Sequence, residues 1–226
     1  MNTKKIGVLI EMGFDVNEFT KFNLVFPQHQ YQVEYLSDLW GHPSLIFRGN
    51  DYAMEVTVKV DLKDVEPVDY DGIILIGGYA MDRLRYQEKL IINQPNAPNQ
   101  APAVKFLRKA VKAMNQKQLV IGAIDHSLWL FCAAPELLRG RLVTCAHNIL
   151  CDVVNAGGHV VFDGHHLRDV MTDEGLVTGR HSGVVNSFMD ACLEAMYLQR
   201  QTHWHAPTSA EVATYLDTLE RLHSHS

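Results

Sequence analysis

The chain has 226 residues, 47% hydrophobic and 20% charged, with a formal net charge of −6; this is an ordinary globular composition with length for one α/β domain and a sizeable core. The acidic balance gives no footing for nucleic acid, and no run approaches the ~20 apolar residues that span a bilayer, so neither nucleic acid nor membrane is an expected partner. The opening residues Met1 to Ile6 lack a signal-peptide pattern, and Cys132, Cys145, Cys151 and Cys192 show no metal-type CxxC spacing, so the expectation is a cytoplasmic chain with reduced thiols.

Strand and helix patterns then alternate along the chain. Ile6 to Ile10 is a short apolar run stopped near Gly13, as for a strand covered on both faces. Glu18 to Phe26 is the expected first helix, with Pro27 marking a break. Gln32 to Ser37 and Val56 to Val60 alternate like strands, and Ile73 to Ile76 is a second buried run closed by Gly77 and Gly78. Asn93 to Pro102, with three prolines, reads as a surface loop. A basic helix is expected over Ala103 to Asn115, then a strand over Leu119 to Ile124 and a helix over Leu128 to Leu138. Further strands are expected at Arg141 to Thr144, His159 to Phe162 and Gly175 to Thr178, a long helix at Val184 to Gln199, and an extra helix at Ser209 to Leu222.

Strands interleaved with helices imply an α/β three-layer sandwich of flavodoxin-like type, a mostly parallel sheet with helices on both faces. The expected division is an α/β domain over residues 1–200 and a helical extension and tail over 201–226. Ligands of such sheets bind beyond the carboxyl ends of the strands. Polar groups fall there at three places: Glu11 to Asp15, Gly77 to Asp82, and Asp125 to Ser127. The third is the most informative. Val120 to Ile124 runs straight into Asp125-His126-Ser127 and a helix-compatible segment, the strand-turn-helix arrangement that exposes a nucleophile in elbow enzymes. Those enzymes usually place Ser or Cys at the turn; this chain places an acid.

Six segments in order resemble the ThiJ/PfpI superfamily, of class I glutamine-amidotransferase-like fold. They are Gly13 to Glu18, Gly77 to Arg85, Ile124 to Ser127, Leu137 to Thr144, Asp152 to Gly157 and Thr178 to Gly183. The resemblance implies an elbow cysteine as nucleophile, at the position of Asp125, and a first-turn acid beside it, at the position of Asp15. It further implies that His126 can pair with an acid of a neighbouring subunit, whose match is Asp82, in a homodimer or higher oligomer. His147 borders the pocket as an acid–base or substrate contact, or serves as a structural histidine. Gly78 and Ser127 would offer backbone N–H donors to an oxyanion.

A carboxylate is a far weaker nucleophile than a thiolate, so cysteine-dependent glyoxalase, deglycase or peptidase chemistry is not expected here. Cys145 and Cys151 lie away from the elbow and are weak substitutes. Three roles are open to Asp125. It can share a proton with Asp15 in acid–base catalysis; it can attack an alkyl carbon to give an ester; or, resembling an oxidised cysteine in shape and charge, it can form a fixed anionic or inert site. The leading expectation is a small-molecule hydratase, lyase or hydrolase of non-thiol type; the alternative is a catalytically inactive small-ligand-binding or stress-related protein. No cofactor and no metal are expected: the 12 histidines show no HExxH or paired spacing. Lys105, Arg108, Lys109 and Lys112 are read as a solvated helix face.

Overall fold

Seven strands form the central sheet of the computed structural model, which describes residues 4–86 and 100–202. In chain order the elements are β1 (Lys4–Leu9), α1 (Val16–Gln28), β2 (Tyr31–Ser37), β3 (Leu45–Arg48), β4 (Glu55–Val58), β5 (Val60–Asp61), β6 (Gly72–Leu75) and α2 (Ala80–Leu84). Then come α3 (Pro102–Asn115), β7 (Val120–Ile124), α4 (Trp129–Cys132), β8 (Leu142–Val143), α5 (Leu150–Asn155), β9 (His159–Val160), β10 (Phe162–Asp163), β11 (His166–Leu167), β12 (Val170–Asp173), β13 (Leu176–Gly179) and α6 (Val185–Thr202). The sheet order is β12-β13-β7-β6-β1-β2-β5. Every pairing is parallel except β12 with β13 at one edge. The strand order reverses between β1 and β6, the switch point at which doubly wound sheets open a crevice.

Burial explains which runs became central strands. Every residue of β6 and β7 is buried, as is β1 from Ile6 onward, because helices cover both faces. Helices α1 and α6 pack together on one side, and α3 packs with α2 and α4. Phe22 sits in the first of these layers, with its ring centroid 5.5 Å from that of Phe26 and 6.4 Å from that of Phe188. Helix α3 turns Ala103, Val104, Phe106 and Leu107 inward. Its cations face outward as expected, Arg108 pairing with Glu136 and Lys109 with Glu66.

Several boundaries differ from the sequence expectation. Helix α1 runs through Pro27 to Gln28; in the last turn a proline forfeits one hydrogen bond without stopping the helix until a residue later. The single helix expected from Leu128 to Leu138 is instead the short α4 followed by a 3-10 turn at Pro135–Leu137, since Pro135 cannot supply the N–H a continuous helix needs. The Val56 to Val60 run splits. Its first part, β4, pairs with the unanticipated β3 in a hairpin outside the main sheet, and only β5 joins the sheet edge. Likewise β8 pairs with β9 in a separate two-stranded sheet. Most of the Asn93 to Pro102 loop and all of the Ser209 to Leu222 helix lie outside the described residues; Pro102 itself is the first residue of α3, where its missing N–H costs nothing.

Phe22→Ala should lower unfolding free energy by about 3–5 kcal/mol through the cavity it leaves, read as a shift in urea midpoint. Phe162→Ala, at an exposed position, should stay within about 0.5 kcal/mol.

Candidate functional site

Three chain turns meet above the ends of β1, β6 and β7; backbone hydrogen bonds join the first two, and the third is bonded to the segment after β8. Asp15 N donates to Gly77 O at 3.2 Å, Tyr79 N to Gly13 O at 2.9 Å, and Ala146 N to Asp125 O at 3.2 Å. Asp125 holds the elbow with φ of 61°, in the left-handed region that Asp and Asn tolerate better than most residues. Its N donates to Gly179 O at 2.9 Å.

The elbow side chain is committed to its own oxyanion donor. Gly78 N donates to Asp125 Oδ2 at 3.0 Å, so the N–H expected to meet a substrate oxyanion meets this carboxylate. The second expected donor is engaged too: Ser127 N donates to Ile124 O at 3.1 Å within the turn. Ser127 is fully buried, and its Oγ has no hydrogen-bond partner. Asp125 keeps 15% of its side chain exposed.

Asp15 does not face Asp125 as a proton partner. It is the N-cap of α1: Oδ1 accepts from Glu18 N at 3.0 Å and Oδ2 from Asn50 Nδ2 at 3.2 Å. The acid next to the elbow is Glu18, one turn on. Glu18 is 0% exposed, and its Oε2 accepts from Gly77 N at 2.7 Å. Its Oε1 is buried with no partner. Burial, reinforced by the Asp15 and Asp125 charges, raises its pKa well above the ordinary carboxylate value. Glu18 is therefore the acid of the crevice whose protonated form burial favours. The sequence signal was present in Asp15-x-x-Glu18, a helix-start pattern that assigns the first residue to capping.

His126 is held from both ring nitrogens. Nδ1 lies 3.2 Å from Gly78 O and 3.4 Å from Asp125 Oδ2, two acceptors, so this nitrogen carries hydrogen. Nε2 lies 2.8 Å from Asn148 Oδ1. The ring stacks on Trp129 at 5.1 Å with an 18° interplanar angle, and Trp129 Nε1 donates to Asp152 at 2.8 Å. His147 is exposed; its neighbour Asn148 makes the contact instead. Asp82 accepts from Arg85 at 2.6 Å within its own chain, and the Arg85 guanidinium lies 4.9 Å over Trp129. Asp82 thus reaches His126 only through Arg85 and the Trp129 ring.

The two thiols nearest the crevice in sequence are held as thiols by burial. Burial pushes both Cys132 and Cys145 up to about 12, so neither supplies a thiolate near neutrality. Among the described residues no group of three or more His, Cys, Asp or Glu side chains is placed to hold a metal ion, and no helix is long and apolar enough to cross a membrane.

Comparison with known proteins agrees with this architecture. The DJ-1/PfpI family description matches residues 4–93 and 95–195. General stress protein 18 of Bacillus subtilis is 25% identical over 185 residues, 82% of this chain and 93% of that protein. Protein/nucleic acid deglycase 2 of Escherichia coli is 28% identical over 179 residues, 79% of this chain and 89% of that protein. The crystal structure of a ThiJ/PfpI domain protein from Brachyspira murdochii superposes with a TM-score of 0.68 at 14% identity, covering 87% of this chain and 97% of that one; at that identity the likeness concerns the fold.

The raised Glu18 pKa has a direction in stability. An acid whose folded pKa exceeds its unfolded value near 4.5 contributes fully below that pH, and the contribution is lost as pH rises toward the folded value. Glu18→Gln should therefore flatten the decline of unfolding free energy between pH 5 and pH 9 and make the chain more stable at pH 8. Urea unfolding across that range checks this, and an unchanged slope would show that Glu18 ionises freely.

Proposed function

This chain belongs to the DJ-1/PfpI family, and we propose that it is a member without thiol chemistry, acting as a catalytically inactive, stress-related or small-ligand-binding protein. One observation carries the reading: the Asp125 carboxylate occupies the Gly78 N–H at 3.0 Å. An oxyanion site works when its donors wait unfilled for charge that develops in the transition state. Here the donor already faces a formal negative charge, and Ser127 N–H is spent on Ile124 O. An anion at the elbow, hydrogen-bonded to Gly78 and next to a buried carboxyl group, is also how a cysteine oxidised to a sulfinate would sit, so the chain holds by sequence a form that a thiol reaches only by oxidation. The names of its relatives include a general stress protein and a protein/nucleic acid deglycase.

A second reading rests on Glu18. A buried carboxylic acid with an unpartnered Oε1, beside the elbow carboxylate, is an acid–base pair of the kind that hydrates or eliminates small polar substrates. In that hydratase, lyase or hydrolase reading Glu18 replaces Asp15 as the proton carrier, and Asp125→Asn would abolish turnover. The expected homodimer is not needed to orient His126, which is bound at both nitrogens within its own chain.

The test is made on the purified protein with methylglyoxal. The parent should show no consumption above buffer, with or without iodoacetamide. Asp125→Cys should create a thiol alkylated at least about tenfold faster than the four native cysteines. Turnover by the parent that vanishes in Asp125→Asn would overturn the inactive reading; turnover that iodoacetamide removes would overturn both readings.

A further inference from the structure

A second cleft lies outside the elbow, between the end of β1, the β3–β4 hairpin and α2. It has a volume of about 500 Å³, within the range of small-molecule sites. Met12 and Phe47 contribute apolar wall, Trp40 and Tyr86 contribute aromatic surface, and Glu11 and Arg83 are its charged groups. The hairpin is fixed over β1 by Gly13 N donating to Arg48 O at 2.7 Å, so the wall is part of the folded core structure.

Glu11 is the unusual member. It is only 6% exposed, yet its compensation is incomplete. Oε1 accepts from Met12 N at 2.9 Å and lies 3.4 Å from Arg83 Nε. Arg83 is 65% exposed, so water screens much of its charge. No hydrogen bond from a described residue reaches Oε2. Burial raises the Glu11 pKa, with the nearby Asp38 charge adding to it, which is the behaviour of a carboxyl short of positive partners.

Trp40 is an independent pointer. It holds φ of 52°, a conformation that bulky residues rarely adopt and that clusters at ligand clamps. Asp38 Oδ1 accepts from Trp40 N at 3.0 Å and fixes the turn. The strained turn delivers an indole to the same cleft that has a partly compensated carboxyl in its lining.

We propose that this cleft binds a small organic amine with an aromatic or branched apolar body, its protonated nitrogen on Glu11 and its body against Trp40, Tyr86 and Phe47. A cation completes the coordination that Arg83 leaves open and gains from the aromatic faces. An acid of the same shape meets the Glu11 carboxyl, with the Asp38 charge nearby, and is disfavoured despite Arg83. The inference uses no elbow residue and stands apart from the proposed function.

The experiment titrates the full-length chain with phenethylamine, phenylacetate and 2-phenylethanol, following tryptophan side-chain N–H signals by NMR. Phenethylamine should saturate, and the acid and the alcohol should not. Glu11→Gln should weaken phenethylamine binding by about tenfold or more, and Arg83→Ala, a change at an exposed side chain, should preserve or tighten it. The wild-type comparison of amine with acid needs no variant and so remains decisive if Glu11→Gln fails to fold. Equal binding of acid and amine, an unchanged affinity in a folded Glu11→Gln protein, or no saturation by phenethylamine would each overturn the proposal.

Discussion

Glu18 Oε1 and Asp125 Cβ stand 2.6 and 2.7 Å from the point a Cβ on Gly77 would occupy. One residue on, a Cβ on Gly78 would run into Gly13 O and come within 2.8 Å of Asp15 N. Two absent side chains at the end of β6 thus let the first-turn loop, the α1 start and the elbow close on the same backbone. Gly78 also needs its positive φ of 70°, which glycine adopts without penalty. Had a side chain stood at either position, Glu18 would lose the Gly77 N–H, and Asp125 would lose the Gly78 N–H. The geometry of the crevice follows from that close approach.

The approach gathers carboxyl groups with few cations between them, and the structure resolves the conflict group by group. Leaving a buried carboxylate unpaired costs several kcal/mol, so such groups find donors or take up a proton. Asp15 takes a helix amide and an asparagine amide, Asp125 takes a glycine amide, and Glu18, with the least access to water, takes the Gly77 amide and has its pKa raised. Backbone N–H groups do the work that lysine and arginine do at the surface. The aromatic column of Tyr79, His126 and Trp129, backed by Arg85, flanks the anionic elbow on the other side.

Much of this was legible in the residues. Uninterrupted apolar runs at Ile6, Ile73 and Val120 announce strands covered on both faces, and their positions gave the parallel sheet and the three polar turns. The run into Asp125 marked the elbow itself. What stayed hidden depends on partners rather than on local pattern. Alternation at Val56 to Val60 signals a strand but not which sheet it joins, so the β3–β4 hairpin was invisible. Asp15 and Glu18 are three residues apart on the same turn, and only the capping pattern separates the one that faces backbone from the one that faces the core. His147 and Asn148 are neighbours in a 3-10 turn, both exposed, and one residue of register decides which of them reaches His126. The sequence places Gly78 and Ser127 at these turns, but it cannot say that the N–H groups of both are already occupied.

The elbow acid has a consequence in time as well as in space. A cysteine at such a turn records its exposure to peroxide: its charge and hydrogen bonds change when it is oxidised and, on the lower rungs, change back when it is reduced. Asp125 has no such history. Its carboxylate meets Gly78 from the moment the chain folds, whatever the oxidant level, and no reductase can reset it. Any signal this site carries is graded by how many copies of the protein are made and destroyed.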